Sequence, residues 1–144
     1  MFRRILFLLV VPVVAVITFT ASALAVSPHF IFANVTNVGS NSITVSFKEA
    51  GLGNSLNSVN ISVTGTAECI NPGSHHPKAS NKESVSASGT FNVSNGNATG
   101  SLTATASLSP PCSPPMTICW TGLSITDTTF SDTKNIPGTF CPPT

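Results

Sequence analysis

Apolar residues alternate with serine and threonine along most of the chain beyond residue 40. Ile43, Val45 and Phe47 stand at every second position of residues 42–48, the pattern of a half-buried strand. Val59, Ile61, Val63, Gly65, Ala67 and Cys69 keep the same period, which places Cys69 on the inward register. Val85, Ala87, Gly89, Phe91 and Val93 follow, then Leu102, Ala104, Ala106 and Leu108. Between these two runs lies Asn95-Gly96, the dipeptide of a type I′ turn, so the pattern predicts a hairpin of 85–93 with 98–108. Ile118, Trp120, Leu123 and Ile125 form another strand, with a change of register near Gly122 that reads as a bulge. Phe130 closes that region, and residues 136–140 supply a last strand after the turn-like 131–135. The early segment 30–38 is rich in β-formers but apolar on both registers.

No window carries a capped 3.6-residue apolar period, so essentially no helix is expected. About seven short strands separated by turn signals predict an all-β fold, an antiparallel immunoglobulin-like β-sandwich. Two stretches resist strand assignment. Residues 71–81 read as a long exposed loop containing His75, His76 and Lys78. Residues 110–115 hold four prolines, cannot donate to a ladder, and should run extended across one end of the sandwich.

The N-terminal 25 residues follow a different logic. Arg3 and Arg4 precede an apolar run from Ile5 to Phe19, and Ala23-Leu24-Ala25 supplies small residues for cleavage. This is the pattern of a secretory signal peptide, with Val26 as the mature N-terminus. An uncleaved signal anchor is the alternative, although the run is shorter than the ~20 residues that span a bilayer. The remaining chain, 26–144, is long enough for one domain and its core. No second apolar stretch, lipid-anchor tail or N-terminal cysteine follows, so no membrane span is expected in the mature chain. Lys48, Lys78, Lys82 and Lys134 stand against Glu49, Glu68, Glu83, Asp127 and Asp132 there. A near-neutral balance lacks the basic footprint of a nucleic-acid binder.

Cys69, Cys112, Cys119 and Cys141 all lie beyond the signal, and an even count in an exported chain points to disulfides. Zinc would want ligands two to four residues apart, and no such pair exists. Four cysteines allow three pairings, which spacing alone leaves open.

Several of these segments together resemble a group of small secreted microbial proteins. They share a Cys-x-Asn-x-Gly loop, here Cys69-Ile-Asn-Pro-Gly73, and a Ser-Gly-x-Phe strand, here Ser88-Gly-Thr-Phe91. A terminal Pro-Gly-Thr-Phe strand, here Pro137-Gly-Thr-Phe140, completes the likeness, which covers roughly residues 57 to 140. These motifs are turn and strand residues without chemistry, so the resemblance supports the fold and implies no activity. It does imply a pairing: members typically carry two cysteines, matching Cys69 and Cys112. Cys119 and Cys141 would then form a second bond, with Cys141 a departure from the family's ending.

Candidate chemistry is sparse. His75 and His76 lack a further ligand nearby, so solvated loop histidines are expected, available with Lys78 to a partner. The chain has no Gly-x-Ser-x-Gly elbow, His-Glu-x-x-His or Gly-x-Gly-x-x-Gly motif. Glu49 closes a strand, while Glu68 and Asp127 fall among hydroxyl residues; all five acids are expected to be solvated surface groups. A glycosidase would need two of them to approach each other, and nothing in the spacing says that they do. Trp120 shares its register with Ile118, which favours core packing over stacking against sugar. Asn34, Asn60, Asn92 and Asn97 head glycosylation sequons, about the number that this composition yields by chance. No catalytic residue, cofactor or metal is implied. The expectation is a non-enzymatic secreted or cell-surface module whose partner is an extracellular protein or polysaccharide. A secreted hydrolase or enzyme inhibitor with a site on the loops is the alternative.

Overall fold

The computed structural model describes residues 26–71 and 77–143, the side chains of 77–80 excepted. Residues 1–25, where a signal peptide is expected, and the His75–His76 pair lie outside the described residues. Seven strands follow one another: β1 His29–Val38, β2 Ser42–Ala50, β3 Ser58–Ile70, β4 Pro77–Asn92, β5 Ala98–Thr105, β6 Thr117–Asp127 and β7 Asp132–Ile136. They form two antiparallel sheets, β1-β2-β5 and β4-β3-β6-β7, packed face to face as a β-sandwich. No helix occurs among the described residues.

Alternation explains this arrangement. β2 is buried at every second residue, and β3 and β6 do the same over 59–63 and 123–127. Their inward side chains meet in one core, with Trp120, Phe47, Ile43, Leu52, Ile61 and Leu123 at no more than 2% exposure. Each such aliphatic side chain contributes roughly 1.5–3 kcal/mol through burial. The bulge expected near Gly122 is present, because Thr64 pairs with Ser124 but Thr66 pairs with Thr121. Gly122 takes φ 58° there, a conformation that glycine adopts without strain.

Hairpin pairing joins β1 to β2, β3 to β4 and β6 to β7; the other connections cross between sheets. The turn at Asn95-Gly96 is therefore right in its chemistry but not in what it connects. Asn95 and Gly96 have φ of 51° and 71°, and Ser94 and Asn97 exchange both backbone hydrogen bonds. Beyond that single bridge the strands part: Phe91 pairs with Val59, and Gly100 pairs with Phe47. Parting lets Leu102 and Ala104 join Val45 and Ile43 on the inner face of the other sheet. Phe91 fills the gap so closely that a Cβ on Gly100 would overlap its ring.

Two further expectations are corrected. The long loop 71–81 is shorter, because β4 already begins at Pro77 opposite Ile70. Proline is tolerated there because it is the first residue of an edge strand. The last strand is 132–136 rather than 136–140. Asp127 pairs with Asp132 across a turn held by the Thr129 amide, which donates to Asp127 Oδ1 at 2.6 Å. Pro137 and Gly138 then interrupt the ladder, and Phe140 rejoins only as a bridge to Trp120.

The disulfides are Cys69–Cys112 and Cys119–Cys141, with Cα separations of 5.6 and 4.3 Å. This is the pairing that the family resemblance implies. The first fastens the end of β3 to the proline-rich connection between β5 and β6. The second fastens the C-terminal segment to β6.

Candidate functional site

The acids depart most from expectation. Glu49 follows Ile43, Val45 and Phe47 at the next inward position of β2, and Asp127 follows Leu123 and Ile125 on β6. Both are 0% exposed, and they come from opposite sheets at the same end of the core. Glu68 is also buried, where Lys82 Nζ lies 3.3 Å from Oε2 and the Thr121 hydroxyl donates to Oε1 at 3.2 Å. Glu83 accepts the Ser107 amide at 2.7 Å. For Glu49, Glu68 and Asp127, solvated surface acids were therefore the wrong expectation. Glu49 and Asp127 continue an apolar period to the strand end, so their registers outweigh their polarity.

A buried carboxylate demands compensation. Neither oxygen of Glu49 nor Asp127 Oδ2 meets a hydrogen-bond donor among the described residues. No lysine there makes an ion pair with either group. Burial raises the Glu49 carboxyl from its ordinary 4.5 to about 8, helped by the charge of Asp127, by the hydrogen bond to Asp127 that only a protonated Glu49 can make, and by the charge of Asp132. A proton on Glu49 turns two facing acceptors into a donor and an acceptor. The signal was present in the sequence: two acids, each standing two positions beyond the last apolar residue of an alternating run.

At the opposite end, Val38, Asn41, Pro111, Met116, Ile118 and Pro143 line an open groove of about 690 Å³ without a charged side chain. It adjoins a second depression of about 450 Å³ through Val38 and Pro143. The proline-rich segment forms part of this rim, as its inability to join a ladder suggests.

The other sequence candidates fall as follows. Lys78 lies in β4, which the sequence assigns to a loop, and His75 and His76 lie outside the described residues. Trp120 is fully buried, so core packing is its role and sugar stacking is excluded. Asn34, Asn60 and Asn92 are exposed, whereas the half-buried Asn97 donates its side-chain amide to the Asn95 carbonyl at 2.8 Å. No group of three or more His, Cys, Asp or Glu suited to a metal ion occurs among the described residues. Among them, no helix is long and apolar enough to cross a membrane. In comparisons with known proteins, no family model, curated protein or solved structure matches this chain.

Proposed function

We propose that this chain is a secreted or cell-surface, non-enzymatic interaction or structural module whose partner is an extracellular protein or polysaccharide. The observation that carries this reading is the outer face of the four-stranded sheet. Ser88, Ser62, Thr126 and Thr133 form one row across it, and Ser86, Thr64, Ser124 and Asn135 form the next. Cross-strand hydrogen bonds set several of these side chains, including Thr64–Ser124 at 3.0 Å and Thr126–Thr133 at 2.9 Å. Such a face offers many fixed donors and acceptors without net charge, which suits an uncharged polar surface better than a charged one.

An immunoglobulin-like arrangement is part of the proposal. Its support is the strand order, with the first, second and fifth strands in one sheet and the third, sixth and seventh in the other. The antibody hallmarks differ, since Trp120 lies on the sixth strand and neither disulfide joins the two sheets' second and sixth strands.

A secreted hydrolase is the second reading, favoured by one observation: Glu49 and Asp127 are two carboxyls brought together, as glycoside hydrolysis requires. Their complete burial weighs against it, because a substrate needs access. The test is a panel of neutral polysaccharides, chitin, peptidoglycan and extracellular proteins presented to the mature protein. Saturable binding weakened by Thr64→Lys, with the fold retained, is expected. Product release from any panel member, lost in Glu49→Gln, would overturn the proposal in favour of the hydrolase.

A further inference from the structure

We propose that Glu49 and Asp127 share one proton as a clasp between the two sheets, so that this end of the sandwich opens as rising pH withdraws it. The geometry is that of a closure. Glu49 is placed by β2 of one sheet and Asp127 by β6 of the other, both sealed from solvent. Three of their four oxygens have no donor among the described residues unless a carboxyl proton supplies one. The fourth, Asp127 Oδ1, is occupied by the Thr129 amide.

The neighbouring charges do not replace the proton. Asp132 of β7, paired with Asp127, is half-buried and adds negative charge. Lys134 stands two residues further along the same face, but its Nζ donates to the Phe30 carbonyl at 3.3 Å. On β1, His29 is exposed and its Nδ1 lies 2.9 Å from the Ser27 carbonyl oxygen. Lys48 is on the outward register of β2. The facing positions of β3 and β5 are apolar, at Ile61 and Ala98.

What the clasp holds is the connection after β2. Only two residues beyond Glu49, Gly51 accepts the Ser27 amide at 3.0 Å. Leu52 is 0% exposed, and its amide donates to the Gly96 carbonyl at 3.1 Å. Losing the Glu49 proton leaves an uncompensated charge in the core, and we assign the opening that hydrates it to the adjoining connection at Leu52. Closed, Glu49 keeps its proton; opened to water, it returns to an ordinary carboxyl and releases it. Opening is therefore linked to release of one proton between the ordinary value of 4.5 and about 8. The opening constant should rise about tenfold per pH unit across that window and level off above it.

The experiment is amide hydrogen exchange of the full protein from pH 5 to 9, corrected for intrinsic exchange. The Leu52 amide is read against the Phe140 amide at the disulfide-bonded end. Expected is a loss of Leu52 protection approaching tenfold per unit, absent in Glu49→Gln, where an amide replaces the proton's role. Should that variant fail to fold, the Thr129 amide resonance of the unaltered protein reports directly, because it donates to Asp127. A single titration step of that resonance near pH 8 supports the clasp. Equal pH dependence in Glu49→Gln, no titration of Thr129, or restoration of Leu52 protection at pH 9 by calcium would overturn it. Calcium rescue would mean that a cation holds the carboxyls together.

Discussion

Replacing Gly100 by alanine tests the contact that seals the corner between β4 and β5. A Cβ at this position would overlap Phe91 Cε1 and Cδ1 and stand 3.2 Å from Cζ. Carbon atoms rest about 3.5–4.0 Å apart, so the ring must retreat by about 1 Å or more. It cannot do so freely, because Phe91 meets Phe47 edge-on with centroids 4.8 Å apart and an 89° interplanar angle. Losing that edge contact costs about 0.5–1.5 kcal/mol. Overpacking costs about 1–3 kcal/mol, offset by about 0.5–1 kcal/mol because alanine is less flexible than glycine in a strand. The net loss should be about 1–3 kcal/mol. In a Phe91→Ala background the obstruction is gone, so the same change should be neutral or stabilising by up to about 1 kcal/mol. Urea unfolding of all four proteins, followed by fluorescence of the single, buried Trp120, measures both the losses and their coupling. Equal effects of Gly100→Ala with and without Phe91 would refute the ring-over-glycine packing.

Gly96→Val should lose about 1–3 kcal/mol, because its φ of 71° strains a β-branched residue; an unchanged melting temperature would deny the type I′ turn. Replacing Cys69 and Cys112 together by alanine should lower stability by roughly 4 kcal/mol, and the Cys119–Cys141 pair by roughly 3 kcal/mol, from the loops that each closes. Unaltered urea midpoints would refute those values. Mass spectrometry of exported protein should find an N-terminus at Val26 within a residue or two. Intact Met1-containing protein in membranes would instead identify a signal anchor.

The strands were legible because a period of two is a local property, and β2, β3 and β6 display it without interruption. The I′ turn was legible for the same reason. What Asn95-Gly96 does not encode is the partner beyond the turn, since residues 91 and 100 would pair in a hairpin and are also neighbours across a corner. Which of these forms depends on where β2 and β3 need an edge, a non-local matter. β7 was missed because Asp132, Thr133, Lys134 and Asn135 read as turn chemistry, yet pairing with β6 makes them a strand. Pro77 was missed because proline argues against strands in general and tolerates their edges in particular. The acid pair was half legible: period placed both carboxyls inward, while polarity argued for solvent. Nothing in the spacing of residues 49 and 127 announces that opposed sheets bring them together.

The disulfides also decide how the segment from residue 26 to residue 144 would respond to tension across it. Tension entering at Val26 travels to Cys69, passes through the first bond to Cys112, and leaves through the second from Cys119 to Cys141. The closed loops, containing β4, β5, β7 and most of β6, carry no load. Only about 55 of residues 26–144 can extend, giving a contour near 190 Å at ~3.5 Å per residue, against about 410 Å for the same residues when reduced. An oxidised molecule is thus a short, stiff link, and reduction would more than double its reach.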